Sequence, residues 1–211
     1  MQRPIFKPLG VSVEELDTPT LIVDLDVLER NIKTMSLSFA DTFVKLRPDV
    51  TVHRTPAIAH KQLAVAGSVG GICVTTVGQA EVFAQSGFTD ILITNPVVSP
   101  IKIRRLCSLL RSATVTVAVD SGSNVSDLSK ATQAEGVILN VIVKVNTGMD
   151  TFGVQPGQSV VTLASLCTDL DGLTFVGLIA RTDSVPNSDG TYRESESLQN
   201  THQVLDTCKR L

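Results

Sequence analysis

Residues 70–95 read GGICVTTVGQAEVFAQSGFTDILITN, and they contain two apolar runs on either side of a helical pattern. GGICVTT (70–76) and DILITN (90–95) are short, rich in β-branched residues and bounded by glycine or polar residues, as buried strands are. VGQAEVFAQSG (77–87) is long enough for a helix, and Gly87 suits the end of one. The stretch therefore predicts a strand, a helix and a second strand in succession.

The same alternation extends towards both ends of the chain. The other segments with strand character are nearly uninterrupted apolar runs at 20–26, 44–50, 114–120, 137–146 and 173–180. The other segments with helical character are 27–41, 55–67, 99–112, 123–136, 158–170 and 192–211, and a polar loop occupies 183–191. Pro56 and Pro100 suit the first turns of their helices, and Ser123 is the expected N-cap of its own helix.

The six apolar runs from residue 44 onward indicate a parallel sheet that is buried on both faces. We expect an α/β fold with a TIM-barrel-like, parallel (β/α) domain that is incomplete, with about six of the eight barrel strands. An open doubly wound sheet is the alternative, although the chain has no GxGxxG or GxxxxGK[ST] motif for a nucleotide. On this basis residues 1–19 are an N-terminal extension and residues 20–211 form the partial barrel domain.

The composition argues against nucleic-acid and membrane partners. Lys plus Arg is 18 and Asp plus Glu is 21, which gives a net charge of −3, and the aromatic residues, 4% of the chain, include no Trp. No apolar run reaches the roughly 18 residues of a membrane helix, and the opening MQRPIFKPLG lacks the apolar core of a secretory signal. The four cysteines have no CxxC spacing, which suits buried thiols in a cytoplasmic protein.

Polar residues gather where the predicted strands end. In a parallel α/β fold the carboxyl ends of the strands meet at one edge of the sheet, which is where binding and catalytic groups are found. The polar residues expected at that edge are Asp49, Thr51, His53, Thr75, Thr76, Thr94, Asn95, Asp120, Lys144, Asn146 and Arg181. The sequence therefore predicts a site at this edge that draws its side chains from several strands.

Four segments resemble the N-terminal part of D-threonine aldolases and eukaryotic-type D-serine dehydratases, which belong with the alanine racemase N-terminal domain. They are LDTPTLIVDLDVLERNI (16–32), RPDVTVHRTPAIAHKQL (47–63), VTVAVDSGSNVSDLS (115–129) and VIVKVNTGMDTFGVQPG (141–157). Their order and spacing together are specific, and the resemblance covers nearly the whole chain. It implies a fold-type III barrel that holds pyridoxal phosphate (PLP) as a Schiff base on a lysine of the first barrel strand.

The sequence departs from the family that it resembles at this lysine. The family's aldolases and dehydratases have Arg-Pro-His-x-Lys-Thr-His-Lys in the region. Here Arg47, Pro48 and His53 match, Asp49 replaces the first histidine, and Thr51 occupies the position of the Schiff-base lysine. A threonine hydroxyl cannot form an imine. The resemblance therefore implies that the covalent anchor of the cofactor is lost.

Other family positions are changed as well. Arg181 follows Ala180 where the resemblance implies a tyrosine, Asn146 replaces an aspartate, and Thr151 replaces an arginine. Asn95 matches an asparagine at the end of its strand. The residues that the resemblance places near PLP are Arg47, Asp49, Asn95, Asn146 and Arg181. It places the family's metal ligands in a C-terminal β-domain, so no metal ligand is expected in this chain.

Lys144 is the alternative amine. Alternation along its strand places Ile142, Lys144 and Asn146 on one face, which matches the barrel interior of the family. A buried lysine has a lowered pKa and becomes nucleophilic, which would make Lys144 a candidate for covalent chemistry. The other interpretation is a structural lysine that is paired with Asp49, Asp120 or a bound anion.

Three functions remain open from the sequence. The chain is a degenerate or truncated family member without the usual activity, an active PLP-dependent lyase on D-β-hydroxy amino acids that uses Lys144 or a partner subunit, or a non-catalytic module that binds a small anion or a protein. His53 would lie near the cofactor, or it is an ordinary loop residue.

Unpaired edges at 44–50 and 173–180 predict a homodimer across the barrel opening or marginal stability.

Overall fold

The computed structural model describes residues 10–147, 152–181, 184–186 and 192–194. Its α-helices are α1 (Leu25–Ala40), α2 (Pro56–Leu63), α3 (Val77–Gln85), α4 (Pro100–Leu109), α5 (Gly122–Glu135) and α6 (Gln158–Asp169). Its strands are β1 (Ile72–Val74), β2 (Asp90–Ile93), β3 (Thr114–Val119), β4 (Leu139–Val145), β5 (Leu173–Ala180), β6 (Ser184–Pro186) and β7 (Tyr192–Glu194). A short 3-10 helix, Val13–Glu15, precedes α1.

Strands β1 to β5 form one parallel sheet in the order in which they occur along the chain. Helix α3 connects β1 to β2, and α4, α5 and α6 make the next three connections in the same way. Because every connection returns the chain to the same end of the sheet, all five strands run in one direction. The predicted α/β class with an incomplete parallel barrel is confirmed, and the described sheet is not closed into a ring.

The predicted strand at 44–50 is wrong as a regular strand. The segment runs parallel to β1, but it makes only isolated bridges, from Leu46 to Ser68 and from Asp49 to Cys73. Pro48 accepts a hydrogen bond from the Cys73 N–H at 2.7 Å, yet it has no N–H of its own with which to continue the ladder. The described sheet therefore has five regular strands, and an irregular extended segment lies beside the first of them.

The predicted strand at 20–26 is also wrong. Asp24 is the N-cap of α1, and its side chain accepts a hydrogen bond from the Val27 N–H at 3.0 Å. The helix therefore begins at Leu25, within the expected strand. Residues 20–24 form no strand with any other part of the described chain, and the side chains of Leu21, Ile22 and Val23 are exposed. An apolar β-branched run predicts a strand only where a neighbouring strand is available to pair with it.

Two smaller expectations are corrected towards the carboxyl terminus. Ser121, not Ser123, caps α5, and its hydroxyl accepts from the Asn124 N–H at 3.4 Å. Ser184–Pro186 and Tyr192–Glu194 pair as an antiparallel hairpin where a loop and the start of a helix were expected. The rest of the predicted helix at 192–211 lies outside the described residues.

The hydrophobic core lies between the sheet and its helices. Side chains of the strands and of the helices that are fully buried within it include Ile72, Ile91, Ile93, Val117, Val143, Ala80, Leu128 and Val160. Burial of apolar surface, at about 25 cal/mol per Å², is the main stabilising contribution of these residues. Within the described ranges, no helix has both the length and the apolar character needed to cross a bilayer.

Candidate active site at the carboxyl edge of the sheet

The turn that follows the irregular segment holds Thr51 against Asp49. The Thr51 hydroxyl donates to Asp49 Oδ1 at 2.6 Å, and the Thr51 N–H donates to the same oxygen at 2.9 Å. Arg54 has a φ angle of 51°, and its Nε donates to the Thr51 carbonyl at 3.1 Å. The carboxylate and the threonine thus form a local turn in which the hydroxyl already has a charged acceptor.

His53 connects this turn to helix α2. Its Nδ1 accepts a hydrogen bond from the Thr55 N–H at 3.0 Å, so the proton of the neutral ring is on Nε2. Nε2 lies 3.1 Å from Gln62 Oε1, to which it donates. Thr55 is the N-cap of α2 but makes no side-chain cap bond, so the His53 ring supplies the acceptor that the helix start needs. Both ring nitrogens are engaged in holding the loop on the helix.

Arg47 lies away from the carboxyl edge of the sheet. Its guanidinium forms a bidentate pair with Asp90, with distances of 2.9 Å and 2.8 Å between nitrogen and oxygen. Asp90 is the first residue of β2, so the pair lies at the amino end of that strand. A Cβ at Gly71 would collide with both members of the pair, and the glycine gives them their room. The predicted contact of Arg47 with a cofactor stays a prediction, and this guanidinium is committed to Asp90.

Lys144 lies near the carboxyl end of β4 and is 8% exposed. Its Nζ is 3.5 Å from the centroid of the Phe152 ring, which is a cation–π distance. Burial lowers the pKa of the Lys144 ammonium, Arg181 lowers it further, and Asp120 opposes them. In the part of the chain that the structure describes, no carboxylate lies within ion-pair distance of this amine, so an aromatic face takes the place of the expected partner.

The other predicted residues lie around the same edge. Asn95 is half-buried and is the second residue after β2. Asn146 directly follows β4, and its N–H donates to the Val154 carbonyl at 2.8 Å. The Thr147 hydroxyl donates to the carbonyl of Arg181, which ties the ends of β4 and β5 together. The structure thus brings Lys144, Asn146 and Arg181 to neighbouring strand ends. The Thr51 turn follows a segment that bridges β1 at Asp49–Cys73 and pairs with β2 through Arg47 and Asp90.

Sequence reasoning missed Asp90, Gln62 and Phe152 as partners of the candidate residues. Asp90 is 43 positions from Arg47, and the strand pattern around Asp90 does not indicate that the two side chains form an ion pair. The sequence around Phe152 resembles a motif of the family, and nothing in that motif indicates that the Phe152 ring lies over Lys144. Among the described residues, no group of three or more His, Cys, Asp or Glu side chains could hold a metal ion.

Comparison with known proteins identifies the family. The alanine racemase N-terminal domain model matches residues 23–210. The chain is 38% identical over 181 residues to 3-hydroxy-D-aspartate aldolase of Paracoccus denitrificans (strain Pd 1222), a match that covers 85% of this chain and 46% of the relative. It is 38% identical over 177 residues to D-threonine aldolase of Arthrobacter sp, covering 83% of this chain and 46% of the relative. The chain spans about half the length of the curated relatives it matches.

Solved structures support the same assignment. The D-threonine aldolase from Filomicrobium marinum superposes with a TM-score of 0.76 and 42% identity over 79% of this chain and 44% of that one. An alanine racemase of Clostridium difficile 630 has a TM-score of 0.67 over 88% of this chain and 48% of that one, and at 17% identity it supports the fold alone. The chain belongs to the alanine racemase N-terminal domain family of fold-type III PLP proteins.

Proposed function

We propose that this chain is a degenerate member of its family, which keeps the scaffold and has lost the lyase chemistry that begins with a Schiff base at position 51. The observation that carries the proposal is the Thr51 side chain, a hydroxyl that lies 2.6 Å from Asp49 Oδ1. Relatives are named for aldol cleavage or dehydration of 3-hydroxy-D-amino acids. The lost reaction is one of these two. The proposal concerns only the part of the relatives' length, about half, that this chain matches.

PLP does not fit as a covalent ligand at position 51. Its aldehyde needs a primary amine, and a hydroxyl that donates to a carboxylate offers neither the nitrogen nor an unengaged oxygen. His53, two residues further on, uses Nδ1 and Nε2 to hold the loop on α2. We therefore assign no reaction step to PLP at this turn, although PLP is the cofactor that the family implies.

The test restores the amine and measures its capture of PLP. We compare the wild-type chain with Thr51→Lys and with Asp49→His/Thr51→Lys, each incubated with PLP, reduced with borohydride and mapped by peptide mass. The single variant should capture little PLP, because Asp49 would hold the new ammonium in its charged form. The double variant removes that carboxylate and should give a reduced adduct at position 51.

The matched control is Val52→Lys, which places an amine one residue away on a side chain that is 89% exposed. This variant should label only as an ordinary surface lysine does. Cleavage or dehydration of a D-3-hydroxy amino acid by the wild-type chain with PLP would overturn the proposal. So would a lack of capture by the double variant while it remains folded, because position 51 would then not be the cofactor position.

A second candidate function is a PLP-dependent lyase that uses Lys144. It is favoured by one observation, namely a buried amine of lowered pKa at the edge where the strands end. The same experiment separates the two candidates. A stoichiometric reduced adduct at Lys144 in the wild-type chain, together with turnover of a D-3-hydroxy amino acid, would select the second. The absence of both would select the first.

We also propose that the chain is cytoplasmic and associates with a second copy through its open sheet edge. Free thiols at Cys73, Cys107 and Cys167 support the location. β5 has a strand neighbour on one side only within the described sheet, which supports the association. Light scattering coupled to size-exclusion chromatography should give twice the 22.5 kDa mass of the chain. A stable monomer at the same concentration would contradict this.

A further inference from the structure

Helix α1 and the chain from the end of α2 to Gly67 enclose a cleft that has a contact at each end. At one end the Lys61 ammonium pairs with Glu29 Oε1 at 2.6 Å. At the other end, about two turns further along α1, the Ser36 hydroxyl donates to the Ala66 carbonyl at 2.5 Å. Gly67 has a φ of 82°, and a Cβ there would lie 2.9 Å from the Ser36 carbonyl oxygen. The glycine therefore permits the close approach that shapes this end of the cleft.

The cleft has the size and the lining of a small-molecule site. Its volume is about 480 Å³. The apolar side chains that line it are Ile32, Leu37, Ala64, Val65 and Ala66. Leu37 is 62% exposed, so an apolar side chain of the lining is in contact with solvent. Sites for small molecules are concavities of this volume in which apolar groups predominate and a few polar groups fix the orientation of the ligand.

The polar groups of the cleft are paired with one exception. The Ser36 hydroxyl is bonded to Ala66, and the charges of Glu29 and Lys61 compensate each other. Lys33 lies one turn after Glu29 on α1, and its side chain lines the cleft and is exposed. Within the ranges that the structure describes, the Lys33 ammonium has no ion pair. The cleft thus combines an apolar lining with one uncompensated positive charge.

We propose that this cleft binds a small apolar carboxylic acid in its anionic form. The hydrocarbon part of the ligand lies against Ile32, Leu37 and Val65, and its carboxylate pairs with the Lys33 ammonium. A neutral apolar molecule would gain only the first of these contacts, and an apolar amine would place a like charge beside Lys33. The cleft shares no residue with the Thr51 turn, so the inference goes beyond the proposed function and does not depend on it.

The experiment is a titration of the full chain with octanoate, below the concentration at which octanoate forms micelles, followed by amide chemical shifts in ¹H–¹⁵N NMR spectra. Saturable shifts should be confined to residues 29–37 and 61–67. Octanol has a hydrocarbon chain of the same length without the charge, and it should bind about threefold more weakly, because an exposed ion pair contributes little. Octylamine should bind more weakly than octanol.

Two variants separate the charge from the apolar lining. Lys33→Gln should weaken octanoate binding about threefold, to the level of octanol, and leave octanol binding unchanged. The matched control is Lys102→Gln, on an exposed lysine of α4, which should change neither affinity. Ala64→Phe places a ring in the cleft and should abolish the binding of both ligands.

The comparison of ligands on the wild-type chain decides the proposal even if a variant fails to fold. Absence of saturable shifts, shifts spread beyond the cleft, or equal affinities for octanoate and octylamine would overturn it. So would shifts at the cleft that depend on protein concentration without any ligand, because the cleft would then be occupied by a second copy of the chain. Unchanged octanoate binding in a folded Lys33→Gln variant would remove the assigned role of the charge and, with it, the proposed ligand class.

Discussion

Strands β1 to β5 and the segment at residues 44–54 lie side by side, yet different interactions hold them. The strands pair continuously with their neighbours, and their side chains are buried in one core. The segment has two isolated bridges. Its Val50 side chain is buried in the core, whereas Val44 and Val52 are exposed, as is Phe43 directly before it. Apart from Val50, polar contacts hold the segment, in particular the Arg47–Asp90 pair, the Thr51–Asp49 bond and the His53 ring.

The difference teaches that the turn around Thr51 takes little part in the packing of the scaffold, although Val50 beside it is buried in the core. Hydrophobic burial over many residues stabilises the sheet, and each buried side chain depends on several others. The turn depends on a few hydrogen bonds between residues that are close in sequence. A change in one part should therefore leave the other largely as it was, and four measurements test this separation.

Ile93→Ala should have the largest effect on the free energy of unfolding. Ile93 is 0% exposed in β2, and its truncation leaves a cavity among packed neighbours. We expect a loss of about 2 to 5 kcal/mol, measured by urea denaturation. Val52→Ala is the matched truncation in the segment at residues 44–54. It should change the free energy of unfolding little, because the Val52 side chain is 89% exposed. A comparable loss at Val52 would mean that core packing extends beyond Val50 into the turn.

Gly71→Ala should have the next largest effect, and it acts on the junction of the two parts. The added methyl group would collide with the Arg47 guanidinium and the Asp90 carboxylate. We expect a loss of about 1 to 3 kcal/mol from overpacking. Because the pair is partly exposed, breaking it in Arg47→Ala should cost less than the glycine substitution. Non-additive losses in Gly71→Ala/Arg47→Ala would show that the collision and the pair are one effect.

High pH should destabilise the sheet while it leaves the turn unaffected. Burial raises the pKa of the Cys73 and Cys167 thiols to about 11, from an ordinary 9.0. Between pH 9 and pH 11 the folded chain retains protons that the unfolded chain releases, so stability is complete below this window and falls as the pH rises through it. Lys144, whose pKa is lowered chiefly by burial and then by Arg181, partly offsets the fall.

The expected loss is on the order of 2 kcal/mol for each thiol across this window, before the offset from Lys144. Denaturation in urea at several pH values measures it. Cys167→Ala lowers stability at every pH through its cavity, but it should make the pH dependence shallower. An unchanged slope in this variant would mean that the thiol is not the titrating group.

His53→Ala should have the smallest effect on global stability. The variant loses the acceptor for the Thr55 N–H and the donor to Gln62, which together cost about 1 kcal/mol. Amide hydrogen exchange should accelerate at residues 51–58 and stay unchanged in β2 and β3. Gln62→Ala removes only one of the two contacts and should give a smaller acceleration. Faster exchange throughout the sheet would remove the distinction between the two parts.

The sequence predicts the regular part well because its signals are local. The apolar runs at 114–120 and 173–180 differ by no more than one residue from β3 and β5, and Pro56 and Pro100 open α2 and α4 as expected. Each such run is apolar along most of its length, so its own composition favours burial against the neighbouring strands and helices. The failures at 20–26 and 44–50 have the opposite cause, because a strand there depends on a neighbour and not on the run itself.

The site is predictable only in outline for the same physical reason. Parallel strands place Lys144, Asn146 and Arg181 at one edge, as the alternation and the strand ends indicated. The pairing of Arg47 with Asp90 and the position of Phe152 over Lys144 depend on tertiary contacts and on a close backbone approach at Gly153. No local pattern encodes such contacts.

The Asx-type turn around Thr51 also has a consequence for how such proteins diverge. Under the proposed function, an amine at position 51 has been exchanged for a hydroxyl, and the Asp49–Thr51 hydrogen bonds show how such an exchange is accommodated within three residues of one turn. Inheritance of the barrel is then uncoupled from inheritance of its chemistry. If the proposal holds, family members with an intact scaffold and no nucleophile should occur, and the residue at this one turn would distinguish them from active relatives.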